Sequence, residues 1–297
     1  TGRCFAQPAS HAIVPNIVPK EHFTNAVAWG SSGQQIAVIA GPAIGGVLLV
    51  AGAPVVFAVV TSLFAANLAL MLMITSRQQT FAREPMSVSS MFAGLKFIFN
   101  RQIILGAISL DLFAVLFGGA IAMMPIYAAD ILNVGEVGLG FLRSAIAVGG
   151  AACAIGLTQY PIRRHAGRAL LISVAVFGAG TIVFGLSVNL YLSLGALVIA
   201  GGADAISVFI RQSMVQLGTP DEMRGRVTSV NSMFVGASNE LGEFESGTVA
   251  VWVGVVPSVV IGGIATIAVA ALWAKLFPRL RSVDALSAEG IANQSEA

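Results

Sequence analysis

The chain has 297 residues, of which 56% are hydrophobic and only 10% are charged. A soluble globular domain carries roughly 25% charged residues, so this composition, with a mean hydropathy of +0.86, excludes an ordinary water-soluble protein. The net charge of +2 is too small to indicate a nucleic-acid partner. We therefore predict an all-α membrane protein, because a helix satisfies its own backbone hydrogen bonds inside lipid.

Eight apolar stretches, each about as long as the roughly 20 residues that cross a bilayer, alternate with short loops. They lie at 25–50, 55–75, 102–127, 137–159, 168–187, 190–215, 226–251 and 255–275. The loops on one side hold the basic residues, while those on the other side are almost uncharged. Because lysine and arginine resist translocation, we expect the basic side and the C-terminal tail to be cytoplasmic, in the inner cell membrane.

The first residues indicate a chain already under way. The sequence begins at Thr1, and residues 1–14 are typical of a helix end rather than of a signal peptide. We therefore expect further protein N-terminal to this sequence. The two cysteines, Cys4 and Cys153, are far apart and suggest neither a disulfide framework nor a metal site.

An internal repeat relates the two ends of the chain. A shift of 201 residues places the polar loop 19–21 on 220–222, and Gly41 on Gly242. Each copy then continues through a long helix, a brief uncharged turn and a further apolar helix. Parallel repeats of six spans are the build of a large transporter class. Chance similarity between two apolar stretches is the alternative.

The repeat predicts the domain organisation, with about eight of twelve transmembrane helices in this chain. Residues 1–75 would be the remainder of an N-terminal six-helix half, comprising the end of its fourth helix and its fifth and sixth helices. Residues 76–101 would be a cytoplasmic linker with an amphipathic helix, and residues 102–278 the C-terminal half with helices 7 to 12. Residues 279–297 would form a disordered cytoplasmic tail.

Three passages resemble the major facilitator superfamily, and within it the branch of enterobactin exporters and related efflux carriers. They are PASHAIVPNIVPKE at 8–21, followed by Asn25 and Ala26, then GPAIGG at 41–46 and QLGTPDEMRGRV at 216–227. The resemblance implies two six-helix halves around a substrate site near the midplane, with alternating access. It is specific to the superfamily but does not name a substrate.

The sharpest of these motifs comprises Gly41, Pro42, Gly45 and Gly46. Gly41 and Gly45 share one helical face, where a neighbouring helix can approach closely, and Pro42 bends the span by removing a backbone donor. The resemblance implies that this pattern marks exporters that exchange substrate for protons. Ala37 stands at the family's preceding small position, a mild departure. A generic helix-packing site is the alternative.

Asp111 is the first candidate for proton coupling. It lies about nine residues into its span, which is about 13 Å at about 1.5 Å per residue and so close to mid-membrane. An ionisable group at that depth is costly and normally faces a cavity or a partner. We expect Asp111 either to bind and release a proton or to be a structural carboxyl that is hydrogen-bonded to a neighbouring helix.

Asp204 and Arg211 are seven residues apart and therefore share a helical face. Arg211 also matches a basic residue that is common in the resembling branch. It would attract an anionic substrate or neutralise an acidic group, or else extend to the cytoplasmic interface as long basic side chains do. Asp204 lies deeper in the span and is the better functional candidate.

Three glutamates fall within six residues of one span. Glu240 and Glu243 are three residues apart and point the same way, whereas Glu245 points elsewhere. Such a group is expensive in lipid. Glu240 and Glu243 are predicted to form a proton relay or to bind a cationic or polar substrate, or else to pair with bases on helices outside this sequence.

A basic loop is predicted on the cytoplasmic side, with Arg163, Arg164 and Arg168. The resemblance implies that an acidic residue of this loop pairs with arginines to latch the closed state, but Gln159 or Tyr160 stands at that position. The departure puts the latch in doubt. The bases can still bind helix C-termini or anionic lipid.

The sequence has no phosphate-binding glycine loop with lysine, no zinc-spaced His/Cys set and no nucleophile elbow, which argues against an enzyme and against ATP-driven transport. We expect a proton-coupled exporter of small amphipathic molecules such as drugs or siderophores. Its partners would be a small-molecule substrate, protons and membrane lipid, with no cofactor, metal or nucleic acid, and it would be a monomer. The alternatives are a non-transporting membrane scaffold or receptor, a lipid-handling membrane enzyme, or an inactive fragment of a carrier.

Overall fold

The computed structural model describes residues 23–73, 88–160, 162 and 164–285. Every regular element within those ranges is a helix, in agreement with the composition. The predictions made for the first 22 residues, for Arg163 and for the last part of the tail, 286–297, lie outside the described residues.

Eleven α-helices and one π-helical segment make up the described part of the chain. They are α1 Phe23–Val50, α2 Ala53–Leu72, α3 Val88–Phe99, α4 Gln102–Phe117, α5 Ala120–Ile126, the π-helical segment Tyr127–Ile131, α6 Gly135–Gln159, α7 Ala166–Leu186, α8 Leu190–Leu217, α9 Asp221–Val253, α10 Val255–Leu276 and α11 Pro278–Ser282.

Six of the eight predicted spans are long and apolar enough to cross a membrane among the described residues. They are α2, the run from α4 through the π-helical segment, α6, α7, α8 and α10. The other two predicted spans, α1 and α9, are helical as well. In α1 the apolar part is the shorter stretch Ile36–Val50, and α9 carries charged residues along its 33-residue length, which lowers its hydropathy.

The chain divides into two compact units, Thr1–Pro85 and Met86–Ala297. The first contains α1 and α2, and α2 has no buried residue. The second contains α3 to α11 and three clusters of buried apolar side chains. The candidate site described below lies entirely within this second unit.

Glycines allow the helices of the second unit to approach each other closely. A Cβ atom built at Gly149 of α6 would meet the carbonyl oxygen of Val198 of α8, and one built at Gly201 of α8 would meet that of Ile146 of α6. Small residues at such contacts are what hold helices together in lipid, where apolar burial gives no driving force. Helix α8 also packs along α7, so it contacts both α6 and α7.

The turns between the last two spans of each predicted repeat have the same backbone geometry. Gly52, between α1 and α2, has φ 103°, and Gly254, between α9 and α10, has φ 96°. Glycine is the residue that adopts such positive φ values without strain. A proline follows each glycine in the first turn of the next helix, namely Pro54 and Pro257. The two glycines are one residue out of register with the 201-residue shift. The two turns nevertheless share a backbone conformation, in addition to the sequence repeat.

The C-terminal segment differs from the predicted disorder of 279–297. Helix α11 begins at Pro278, and the chain is described as far as residue 285. Leu280 and Val283 are 0% and 1% exposed, because these two apolar side chains fill spaces at the end of the helix bundle. The prediction of disorder is therefore wrong for residues 279–285. A helix does occur within the predicted linker, as α3, which packs against α9.

Candidate transport site

A buried ion pair joins α4 to α8. The Nη2 atom of Arg211 lies 3.1 Å from Oδ2 of Asp111, and the two side chains are only 5% and 9% exposed. The Nη1 atom of Arg211 donates to Oδ1 of Asn231 on α9 at 3.4 Å. Three helices thus meet at one guanidinium. Its Nε atom has no hydrogen-bond partner among the described residues.

The burial of Arg211 decides between the two sequence-based interpretations of that residue. A side chain on a helix leans toward the helix N-terminus, which directs Arg211 back into the bundle instead of toward the loop that follows α8. Extension to the membrane interface is therefore not what the structure shows. Arg211 neutralises an acidic group, and Asp111 is that group. Removing either charge would leave the other buried and unpaired, which is strongly unfavourable.

Asp204 lies two turns before Arg211 on the same helix, and the charges of both Asp111 and Arg211 act on its carboxyl group. Its side chain has no ion pair or hydrogen bond within the described part of the chain. The carboxylates of Asp111 and Asp204 therefore both interact electrostatically with the guanidinium of Arg211. The three groups together carry one negative charge when both acids are ionised.

A cavity of about 110 Å³ lies beside Asp204. This is well below the roughly 300–1,000 Å³ of a site that encloses a drug-sized ligand, so within this unit it holds part of a ligand at most. Its wall contains two carboxylates, one amide and one aromatic ring among apolar groups. The residues that line it are Val115, Gly118, Gly119, Ile146, Phe177, Asp204, Asn239 and Glu243.

One wall of the cavity is a break in a membrane span. Helix α4 ends at Phe117, and α5 begins at Ala120 after Gly118 and Gly119. A Cβ atom at Gly119 would meet Oγ of Ser246 and the backbone carbonyl oxygen of Gly242, so glycine is needed there for α9 to approach. Interrupted membrane helices are tolerated where they line a cavity or are buried in protein. The sequence analysis missed this break, although a Gly-Gly pair inside an apolar run is a signal for it.

The structure separates the two glutamates that the sequence grouped. Both Glu240 and Glu243 are exposed in the described structure, but only Glu243 lines the cavity. Glu245 is half-buried and accepts a hydrogen bond from Ser246 at 3.4 Å. Asn231 and Asn239, on the same helix, reach the ion pair and the cavity respectively, and the sequence analysis did not single them out.

The glycine motif of α1 lies in a continuous helix that runs through Pro42. No described atom lies within 4 Å of a Cβ atom built at Gly41 or Gly45. The close helix approach predicted for this face therefore stays a prediction. In the basic loop, Arg164 and Arg168 are exposed.

Comparisons with known proteins agree with this architecture. A family model described as a transmembrane secretion effector, of the major facilitator type, matches residues 1–296. The chain is 26% identical over 232 residues to a protein of Bacillus subtilis (strain 168) named uncharacterized MFS-type transporter YjbB. The match covers 74% of this chain and 55% of the Bacillus protein, so the chain spans about half the length of that curated relative.

Proposed function

Because this chain belongs to the major facilitator family of transmembrane secretion effectors, we propose that the protein is a proton-coupled exporter of small amphipathic molecules such as drugs or siderophores. Membership places it among multi-pass membrane proteins of transmembrane transport. The proposal adds the direction of transport, the coupling ion and the substrate type. Rocking of two six-helix halves about a midplane site would alternate access to the two sides.

The observation that carries the proposal is the position of Asp204 at the cavity beside the buried Asp111–Arg211 pair. Ionisable groups inside membrane helices are expensive and mark substrate or ion pathways. Arg211 is already paired with Asp111, so Asp204 is the carboxylate of this group that is available to a proton. A site with two ionised acids and one base has a net charge of −1, so binding one proton or one cation makes it neutral.

Each predicted residue receives a role under this proposal. Asp204 exchanges the proton, while Arg211 and Asp111 hold α8 and α4 in register around it. Glu243 contributes a second carboxylate to the cavity wall, and Glu240 lies one turn away on the same helix. The glycine motif of α1, residues 41–46, would be the surface on which another helix seals one side of the substrate path.

The proposal includes the setting of the protein. We place its C-terminus in the cytoplasm and the protein in the inner cell membrane as a monomer of two six-helix halves, with residues 102–278 forming the second half. Its partners would be the exported molecule, protons and lipid. The charged groups act as binding and coupling groups and not as an enzyme active site.

Flux in sealed vesicles tests the proposal. The intact protein is reconstituted, a pH gradient is imposed, and uptake of ethidium and of a catecholate siderophore is followed with and without an uncoupler. We expect gradient-dependent uptake of at least one probe, abolished by Asp204→Asn. The matched control is Glu136→Gln, which changes an exposed acid in the first turn of α6, away from the cavity, and we expect it to transport normally.

Two outcomes would contradict this function. Uptake that persists at the same rate without a pH gradient would refute proton coupling. Absence of gradient-dependent uptake of every probe by the folded intact protein would favour the scaffold or receptor alternative.

A further inference from the structure

The segment Pro278–Asp284, here called the C-terminal strap, closes one end of the helix bundle. It runs across the beginning of α7, where three backbone N–H groups donate to it. His165 N donates to Oδ1 of Asp284 at 2.8 Å, and Ala166 N and Gly167 N donate to the carbonyl oxygens of Asp284 and Val283 at 3.1 and 2.9 Å. The first N–H groups of a helix have no acceptor within the helix. The strap supplies acceptor oxygens for these N–H groups of α7.

The strap is also held by its apolar side chains. Leu280 and Val283 are almost fully buried, and a Cβ atom built at Gly106 of α4 would lie within 3.3 Å of the Leu280 side chain. A Cβ atom at Gly167 would meet the carbonyl oxygen of Leu280 and would lie 3.1 Å from the carbonyl carbon of Arg281. The strap therefore fits against α7 only because residue 167 is glycine.

Docking of the strap assembles a basic surface from two distant segments of the chain. Arg279 and Arg281 lie in the strap, which binds residues 165–167, and Arg164 and Arg168 flank those residues in sequence. Arg164, Arg168 and Arg281 are exposed, and Arg279 is half-exposed. The acid of the strap, Asp284, is paired with Nδ1 of His165 at 3.1 Å. None of the four arginines has an ion pair with a described residue.

This surface lies at the level of the membrane boundary. Helix α7 begins at Ala166 and α10 ends at Leu276, and both are membrane spans by length and hydropathy. The strap follows α10 directly, so its arginines would lie at the level of the lipid headgroups when α10 spans a bilayer. We propose that the docked strap and residues 164–168 form one binding surface for the phosphate groups of anionic phospholipids.

The chemistry favours phospholipid over a soluble partner. Guanidinium groups match phosphate oxygens in a planar, paired geometry, and basic clusters next to a membrane span bind anionic leaflets. The proposal requires the chain to lie in a membrane, which the family and the helices support, but not that it exports anything. Its failure and the failure of the transport proposal are therefore distinguishable.

The test measures lipid selectivity of the intact protein. Association of spin-labelled phosphatidylglycerol is compared with that of spin-labelled phosphatidylcholine in bilayers that contain both. We expect Arg279→Gln with Arg281→Gln to lower the preference for phosphatidylglycerol about tenfold. Arg143→Gln removes an exposed base in the first half of α6, away from residues 164–168, and should leave the preference unchanged.

A second variant separates assembly of the surface from total charge. Gly167→Ala changes no charge but should displace the strap, so it should lower the preference as the double arginine variant does. Gly156→Ala is the matched control, because nothing lies within 4 Å of a Cβ atom there. If Gly167→Ala does not fold, Asp284→Ala serves instead: by charge alone it would raise the preference, whereas loss of the strap would lower it.

Three results would overturn the proposal. The first is an unchanged preference in the double arginine variant. The second is an equal loss in Arg143→Gln, which would indicate that any positive charge on the protein attracts anionic lipid and that no specific surface is needed. The third is a normal preference in Gly167→Ala, or a raised preference in Asp284→Ala, since either would show that the strap does not assemble the surface.

Discussion

Helices α8 and α9 are consecutive, yet their charged side chains differ in exposure. Helix α8 buries Arg211 at 4% exposure and packs its glycines against α6. Helix α9 leaves Glu240 and Glu243 exposed in the described structure. Arg211 of α8 is the partner of residues on two other helices, Asp111 and Asn231, whereas Glu240 and Glu243 of α9 have no ion pair with a described residue.

Composition explains why α8 reaches the hydropathy of a membrane span while α9 does not: α8 contains two charged residues and α9 contains seven. Arg211 is tolerated in the apolar helix α8 because its charge is paired with Asp111 inside the bundle. Three of the seven are the glutamates at 240, 243 and 245, and the first two of these are exposed in the described structure. We therefore expect substitution of the buried Arg211 to act mainly on stability and substitutions of the exposed Glu240 and Glu243 mainly on transport.

The largest effect is expected at the buried pair. Arg211→Met leaves Asp111 buried without its partner, which should lower the free energy of unfolding by about 3–5 kcal/mol. The double variant Asp111→Leu with Arg211→Met removes both charges and should recover most of that loss. Reversible unfolding in mixed micelles measures both variants, and a double variant no more stable than Arg211→Met would show that the pair is not the cause.

The second effect concerns the packing of α8 against α6. Gly149→Ala introduces a methyl group against the carbonyl oxygen of Val198, and the overpacking should cost about 1–3 kcal/mol. Gly156→Ala, on the same helix but in open space, should leave the free energy of unfolding unchanged or slightly raised. Equal destabilisation of the two variants in the same unfolding assay would contradict this packing.

The two asparagines of α9 sharpen the comparison within one helix. Asn231→Leu removes the acceptor of the 3.4 Å hydrogen bond from Arg211 and should cost about 1 kcal/mol. Asn239→Leu alters the cavity wall and should slow flux with little change in stability. Thermal unfolding and vesicle flux, measured on both variants, would disagree with the account if the two asparagines exchanged these phenotypes.

The smallest effect on stability is expected at the glutamates. Glu243→Gln and Glu240→Gln should each change the free energy of unfolding by no more than about 0.5 kcal/mol, as exposed substitutions usually do. Flux should fall more in Glu243→Gln, because Glu243 lines the cavity and Glu240 does not. Initial rates of probe uptake distinguish the two, and a greater loss in Glu240→Gln would contradict a substrate path through the cavity that Glu243 lines.

The helices could be predicted from the sequence because length and hydropathy are local properties. Asp111, Asp204 and Arg211 could be selected as candidates because charges in apolar spans are costly. The pairing of Asp111 with Arg211 could not be predicted, since it depends on how α4 and α8 pack. The sequence left two interpretations of Arg211 open, neutralisation of an acidic group and extension to the membrane interface. Only the packing of α4 against α8 decides for the first.

The remaining differences also arise from tertiary contacts. The strap has polar and basic neighbours that are typical of a disordered tail, but Leu280 and Val283 find buried positions against α4 and α7. The break at Gly118 and Gly119 lies inside an otherwise unbroken apolar run, so hydropathy does not reveal it. Both features depend on glycines that let another element approach.

The central claim is that Asp204 exchanges a proton at the cavity while Asp111 stays paired with Arg211. Infrared titration of the intact protein tests it without knowledge of the substrate, because a protonated carboxyl group has its own C=O band. The account predicts a carboxyl band that titrates in the wild-type protein and in Glu136→Gln and is missing in Asp204→Asn. The same titrating band in Asp204→Asn would contradict the account.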